Sequence, residues 1–258
     1  MATRIHPTAI VAPAAELDEG VEVGPYSVIG PRVRIGARAT IAAHVVLDGC
    51  TTLGADCRIF PFASVGQQTQ DLKFKGGESR VEIGERTTLR EYVTVNTATN
   101  DGDVTRIGAG CHIMAYAHVA HDCRVGDEVI IANCGTLGGH VVLEDQVIIG
   151  GLCGIHQFCR VGRLAITGGC TKITQDVPPF MMADGNPAAI HGLNSIGLRR
   201  HGVSEATERL LKQAFRLLYR DGLLTRQALE RMEKEIEQIP EIQHLVTFVR
   251  ASERGIVR

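Results

Sequence analysis

Along most of the chain an aliphatic side chain returns every sixth residue, with small or polar residues between. From Ile5 the series runs through Val11, Leu17, Val23, Ile29, Ile35, Ile41, Leu47, Leu53, Ile59 and Val65. It resumes at Ile83, Leu89 and Val95, then from Ile107 through Ile113, Val119, Val125, Ile131, Leu137, Leu143, Ile149 and Ile155 to Val161. Thr167 breaks the series and Ile173 closes it. A period of six matches neither the α-helix nor the heptad. Held in one phase, it predicts a mainly β protein, a parallel β-helix of hexapeptide repeats. Each hexad supplies one short strand and one turn. The aliphatic residue points inward, a small fifth residue packs beside it, and coils stabilise one another because one coil cannot bury its own face. Gly at the second place, as at Gly24, Gly36 and Gly84, is expected to relieve the turn.

Two polar stretches, 67–81 and 97–106, leave the period and are expected to be loops on a rigid scaffold, where function concentrates. The coil is expected to stop at Val177-Pro178-Pro179, with a turn at Asp184-Gly185-Asn186-Pro187. From Ser204 the period becomes helical. Ser204 is a candidate N-cap, and Leu210, Ala214, Leu217 and Leu218 form a stripe. Thr225 is expected to cap a second helix, with Leu229, Met232 and Ile236 inward, and Pro240 to start a third. The expected division is a repeat domain over 1–190 and a small α-helical domain over 191–258, shielding one end of the solenoid.

Composition fits thin repetitive layers: aromatics are 4% with no Trp, and Gly is frequent at 29 residues. A net charge of −2 argues against nonspecific nucleic-acid binding, which needs a basic surface. Met1-Ala2-Thr3-Arg4 leads straight into the repeat, and no apolar run approaches the ~18 residues of a membrane span. The eight Cys form no C-x-x-C pair, and Cys57, Cys111, Cys123, Cys153 and Cys159 all fall at the small fifth place. They read as buried filler thiols in a reducing, cytoplasmic compartment.

Candidate chemistry gathers in residues 113–160. If three hexads make one coil, residue n stacks on n+18. His121 then lies under Gly139, Asp122 under His140, and Ala120 under Gly138 under His156. Coils about 4.8 Å apart bring the three imidazoles within roughly 10 Å of one edge. Such a group suits a general base steered by a carboxylate, with backbone N–H groups receiving an oxyanion. It also suits a zinc ion on three His, as in a γ-type carbonic anhydrase on the same coil. The plain alternative is surface His on a turn-rich edge.

The chain resembles the acyl-carrier-protein-dependent UDP-N-acetylglucosamine O-acyltransferases of lipid A biosynthesis over its whole length. The carrying motifs are Gln70-Asp71-Leu72-Lys73, His118-Val119-Ala120-His121-Asp122-Cys123, Gly139-His140-Val141, His156-Gln157-Phe158-Cys159, Gln175-Asp176-Val177-Pro178-Pro179 and Arg199-Arg200-His201-Gly202. The resemblance implies a left-handed β-helix and a homotrimer with active sites between subunits. It also implies transfer of a 3-hydroxyacyl group from acyl carrier protein to the glucosamine 3-hydroxyl, with no cofactor and no metal. His121 would be the base, oriented by Asp122, and the Gly139 N–H would hold the oxyanion. Gln70, Asp71, Lys73, His118, His140, His156 and Gln157 would line the sugar and acyl pocket. Asn194 and Arg200 would lie near the nucleotide phosphates. Gly169, at the place thought to measure acyl length, would leave a long groove. The basic residues Arg199, Arg200, Lys212, Arg216 and Arg220 are candidates for the acidic carrier's dock. The chain departs from the family pattern at Asn96-Thr97-Ala98-Thr99, Lys172, Ile196 and His201, which keeps a 3-amino sugar acceptor as an alternative.

Overall fold

The computed structural model describes residues 2–258. Twenty-eight short strands and four helices follow one another, most strands being two residues long. They form a three-sided left-handed parallel β-helix. The first face runs from Arg4–Ile5, the second from Ile10–Val11 and the third from Glu16–Leu17. Eighteen residues make a coil, as the pairing of Arg4 with Glu22 and of His118 with Thr136 records. Across the first insertion the step grows to thirty, Ser64 pairing with Thr94, and across the second to twenty-four, Thr94 pairing with His118. Both insertions leave the corner between the second and third faces, so they add chain at one edge without disturbing the ladders.

The repeat packs as its pattern requires. Ile29, Ile35, Leu47, Leu53, Ile59, Leu89, Ile107, Ile113, Ile131 and Leu137 are among the largest fully buried side chains. The five fifth-place cysteines are buried too. Burial pushes the Cys57, Cys111 and Cys159 thiols up to about 11 and the Cys123 thiol up to about 12, so they stay protonated.

The second-place glycines have a different cause from the one expected. None of Gly24, Gly36 or Gly84 needs a left-handed backbone, but a Cβ on Gly24 would sit 2.8 Å from the Ala42 carbonyl carbon of the next coil. Their role is close coil stacking. The turn strain falls instead on the fourth place, where non-glycine residues such as Tyr26, His44, Asp122, His140 and Phe158 adopt φ near +60°. Each costs roughly 1–2 kcal/mol. The N–H at this place donates to an oxygen one coil below, a carbonyl for His140 (to His121 at 3.0 Å) and a threonine hydroxyl for Tyr26 and Asp122, which offsets part of the strain.

The coil outlasts two expected stops. Thr167 keeps the inward slot, 2% exposed, with its hydroxyl accepting the Gly150 N–H at 2.9 Å. Beyond Pro178-Pro179, Met181–Asp184 still pairs in parallel with Ile166–Thr167, and only Ala189–Leu193 turns antiparallel. A short helix precedes the expected three: α1 (Ser195–Arg200), capped by the Asn194 side chain. Helix α2 (Glu205–Tyr219) is capped by Ser204 as its sequence suggests. In α3 (Thr225–Glu235) Thr225 is the first helical residue, and the cap position is Leu224, whose N–H donates to Gln227 Oε1. Helix α4 (Pro240–Arg250) starts on proline, whose missing N–H would be unpaired there anyway. The chain end returns to the last coils, where Asp176 N–H donates to Gly255 O and Val257 N–H to Asp176 O, both 2.9 Å.

Candidate active site

The corner between the second and third faces carries the chemistry. His121 and Asp122 hold the third and fourth places of the hexad opened by Val119, in the turn after strand His118–Val119. Asp122 takes the left-handed conformation at φ 61°, and its N–H donates to the Thr105 hydroxyl at 2.8 Å. Its Oδ2 lies 2.8 Å from His121 Nδ1, and both side chains are nearly buried. The same oxygen accepts the Thr99 N–H at 3.2 Å, and the Thr99 hydroxyl lies 3.0 Å from His121 Nδ1. The ring is therefore tied at Nδ1, leaving Nε2 for chemistry. His140 meets His121 edge to face, 5.3 Å between ring centres, and stacks on Phe158 at 4.5 Å.

Next to that nitrogen lies a backbone donor. The third place of the repeat makes no ladder hydrogen bond through its N–H, which is why Pro7, Pro13, Pro25, Pro31 and Pro61 all occupy it. Gly139 holds the same place, and no hydrogen bond engages its N–H among the described residues. A Cβ there would sit 2.3 Å from His121 Cε1 and 2.4 Å from Nε2. Only glycine lets the imidazole lie against this backbone. An imidazole nitrogen and a residue with an unengaged backbone N–H thus adjoin across neighbouring coils, a pairing that suits acyl transfer. From Gly139 a shallow groove of about 420 Å³ runs over the second face, lined by Thr136, Gly154, His156, Gln157, Lys172 and Thr174. Its floor is bare, since a Cβ on Gly154 would meet nothing within 4 Å.

The first insertion reaches the same corner. The Lys73 N–H bonds Asp71 at 2.9 Å and, with the charges of His121, Lys73 and His140, holds its carboxyl below the usual carboxylate range. Gln70, Lys73 and Leu72 are exposed beside it. His118 hydrogen-bonds Thr94 at 2.7 Å, and burial, then the neighbouring His121 charge, lowers its pKa. It presents a neutral imidazole at neutral pH. His156 bonds Arg254 at 3.3 Å and borders the groove with Gln157. The ligand-type atoms that come within 4.8 Å of one another are those of His121, Asp122 and His140, without His156. Two of them, Nδ1 and Oδ2, already face each other, so the arrangement suits a dyad better than a three-His zinc site.

Three expected site residues lie elsewhere on the prism. Gly169 is exposed at the corner between the first and second faces, off the groove. Asn194 is buried, its Oδ1 capping α1 at Gly197 and its Nδ2 donating to Leu164 O at the corner between the third and first faces. Arg200 is exposed at the end of α1. Of the basic docking candidates, Arg199 and Lys212 pair with Glu208, Arg216 with Asp221, and Arg220 lies over the Phe215 ring. Thr69 and Thr105 carry no signal in the sequence, and Thr99 appears there only as part of the departing segment Asn96-Thr97-Ala98-Thr99, with no role attached. The eighteen-residue step that aligns the other columns does not hold across the insertions that supply Thr69 and Thr99.

Residues 176–257 match the family model of the UDP N-acetylglucosamine O-acyltransferase second domain, and 14–49 and 105–139 match the bacterial transferase hexapeptide model. An acyl-[acyl-carrier-protein]–UDP-N-acetylglucosamine O-acyltransferase from Thermodesulfovibrio yellowstonii is 49% identical, covering 98% of this chain and 99% of its own. Among solved structures, LpxA from Acinetobacter baumannii superposes with a TM-score of 0.94 at 43% identity, over 98% of this chain and 99% of the other. UDP-N-acetylglucosamine O-acyltransferase from Moraxella catarrhalis does so with 0.94 at 41%, over the same shares.

Proposed function

The chain belongs to the acyl-[acyl-carrier-protein]–UDP-N-acetylglucosamine O-acyltransferase family, and from that premise we propose that His121 is the base and Gly139 N–H the oxyanion donor of its reaction. The chain is an acyltransferase of lipid A biosynthesis, passing an acyl group from acyl carrier protein to UDP-N-acetylglucosamine. In our reading His121 Nε2 takes the proton of the sugar 3-hydroxyl as its oxygen attacks the thioester carbonyl. The oxyanion forms against the Gly139 N–H. The tetrahedral adduct then expels the carrier's thiolate, which takes the proton from the imidazolium. The Asp122 carboxylate, 2.8 Å from Nδ1, offsets the positive charge of that imidazolium while it lasts. The observation that supports this most is that Gly139, whose N–H is unengaged, packs so closely on the His121 ring that a Cβ there would sit 2.4 Å from Nε2.

The acyl donor in this reading is a 3-hydroxyacyl thioester, lying in the groove over Gly154. Asp71, Lys73 and His118 meet the sugar. Because Asn194 belongs to another corner, it and Arg200 serve the site from a neighbouring copy in a homotrimer. Two features support such a neighbour. Leu72 is fully exposed beside the site, and Tyr26, His44, Phe62, Tyr92 and Tyr116 form an exposed ladder of stacked rings, 4.7–5.1 Å apart. Among the described residues no helix is long and apolar enough to cross a membrane. All eight thiols are unpaired, which suits a reducing compartment such as the cytoplasm. The test is acyl transfer from a series of 3-hydroxyacyl carrier thioesters to UDP-N-acetylglucosamine, with wild type and His121→Ala in parallel. Transfer by the wild type alone supports the reading. Transfer only to the 3-amino sugar would reassign the acceptor, and equal rates in both proteins would remove His121 from its role.

A further inference from the structure

We propose that Thr99, held by Thr69, is a positioning residue that fixes the tautomer His121 needs to act as a base. This rests on the reading of His121 as the base. The two hydroxyls lie 3.3 Å apart, and both residues are about 5–6% exposed. Thr99 touches both members of the dyad, through its hydroxyl at His121 Nδ1 and its N–H at Asp122 Oδ2. Thr69 also accepts the Asp71 N–H at 3.1 Å. One insertion supplies Thr99 and the other Thr69.

The chemistry turns on a single hydrogen. A neutral imidazole carries one N–H, and a base acting through Nε2 must carry it on Nδ1. A threonine hydroxyl has one hydrogen and two lone pairs. If the Thr99 hydrogen points at Thr69, its lone pairs face Nδ1, which then has two acceptors, Asp122 and Thr99. If it points at Nδ1, it donates to the ring and favours the Nε2–H form, which cannot take a proton at that atom. Thr69 decides between these by offering an acceptor on the far side. Its own oxygen then receives two donors, Asp71 N–H and Thr99 O–H. The insertion that bears Asp71 is thereby latched to the base, so ordering of that loop and readiness of His121 go together.

The experiment uses the full-length enzyme with selectively ¹⁵N-labelled histidine, together with steady-state transfer across pH 5.5–9 (a range set about the histidine pKa of ~6.5). The wild type should show His121 protonated at Nδ1 when neutral. Thr99→Val and Thr69→Val should admit the Nε2–H tautomer or broaden the signal. Thr99→Val should lower kcat by about tenfold or more with KM within about twofold, as loss of base alignment does. Its kcat/KM acid limb should move to lower pH, because the imidazolium loses an acceptor. Thr99→Ser should restore the rate and the profile. An unchanged tautomer, kcat and pH profile in Thr99→Val, with His121→Ala inactive, would overturn the proposal alone. So would a rate loss that Thr99→Ser fails to rescue and that tracks a fall in Tm. Activity in His121→Ala would instead overturn the base assignment beneath it.

Discussion

Gly139→Ala isolates the geometry of the site with one methyl group. The backbone at Gly139 needs no left-handed conformation, so alanine is unstrained there. The amide N–H is retained. What changes is the contact with His121: the new Cβ would lie 2.3 Å from Cε1 and 2.4 Å from Nε2. Ordinary contact begins near 3.4 Å, so ring and backbone must separate by roughly 1 Å. The ring cannot swing freely, because Nδ1 is held by Asp122 at 2.8 Å and Thr99 at 3.0 Å. A displacement of about 1 Å at a reacting group costs about 10²-fold in rate, equivalent to about 2.7 kcal/mol of barrier. The loss should fall on kcat, measured in single-turnover transfer with saturating thioester and sugar nucleotide. Tm should change little, since the displacement falls on the ring and the loops that hold it rather than on the stacked coils. Gly192→Ala is the control, as its Cβ meets nothing within 4 Å. A Gly139→Ala enzyme within threefold of wild type would refute the close pairing of base and donor; that threshold is about a quarter of the expected barrier change.

Further expectations concern the base, the neighbouring histidine and the acyl groove. His121→Ala should reduce kcat by about 10²–10⁴-fold, and wild-type activity should survive dialysis against a chelator, read in the same transfer assay. The fold opposes protonation of His118, by burial first and then by the His121 charge, so its folded pKa lies below the ordinary 6.5. Its contribution to stability is full above that value and is lost as pH falls through it. Tm should drop on acidification below about pH 6.5, less steeply in His118→Gln; the lowered His112 leaves part of the slope in place. Identical slopes for the two proteins would contradict the burial argument. Gly169→Met meets only the Gly151 carbonyl at 3.5 Å from its Cβ and should fold normally. An acyl chain that runs past the groove over Gly154 to the corner at Gly169 would meet the new side chain, so preference should shift to shorter thioesters in a competition assay; an unchanged chain-length profile would show that the chain does not reach this corner and would detach Gly169 from acyl measurement.

The coil was readable because its inward column is a strict arithmetic series, and a β-helix has one way to satisfy such a series. The same arithmetic brought His121, Gly139 and His140 to one corner. It failed where a rule depended on the neighbouring coil. Gly24 reads as a turn glycine, yet its constraint is the Ala42 backbone of the next coil. Thr167 reads as an interruption, yet its hydroxyl is satisfied inside the coil by Gly150. Thr99 and Thr69 were hidden because insertions change the stacking step to thirty and twenty-four residues, and no periodic signal crosses them.

The two insertions also explain how a rigid solenoid can hold an adjustable site. His121, Asp122 and Gly139 stand on consecutive coils whose backbones are fixed by ladders above and below, so their spacing is set by the fold. The coil itself supplies no side chain behind His121, since the ring packs outward at a corner. The chain added at that corner fills the gap: the second insertion brings Thr99 against Nδ1 and Oδ2, and the first brings Thr69 against Thr99, with the Asp71 N–H on Thr69. The dyad is thus rigid on its coil side and held by loops on its outer side. Loops open more readily than stacked coils, so the substrate contacts proposed at Asp71 and Lys73 would act on the part of the assembly that can respond. A base built wholly into the ladder would be well placed but indifferent to substrate. Here the contact that orders the first insertion is one hydroxyl away from the base.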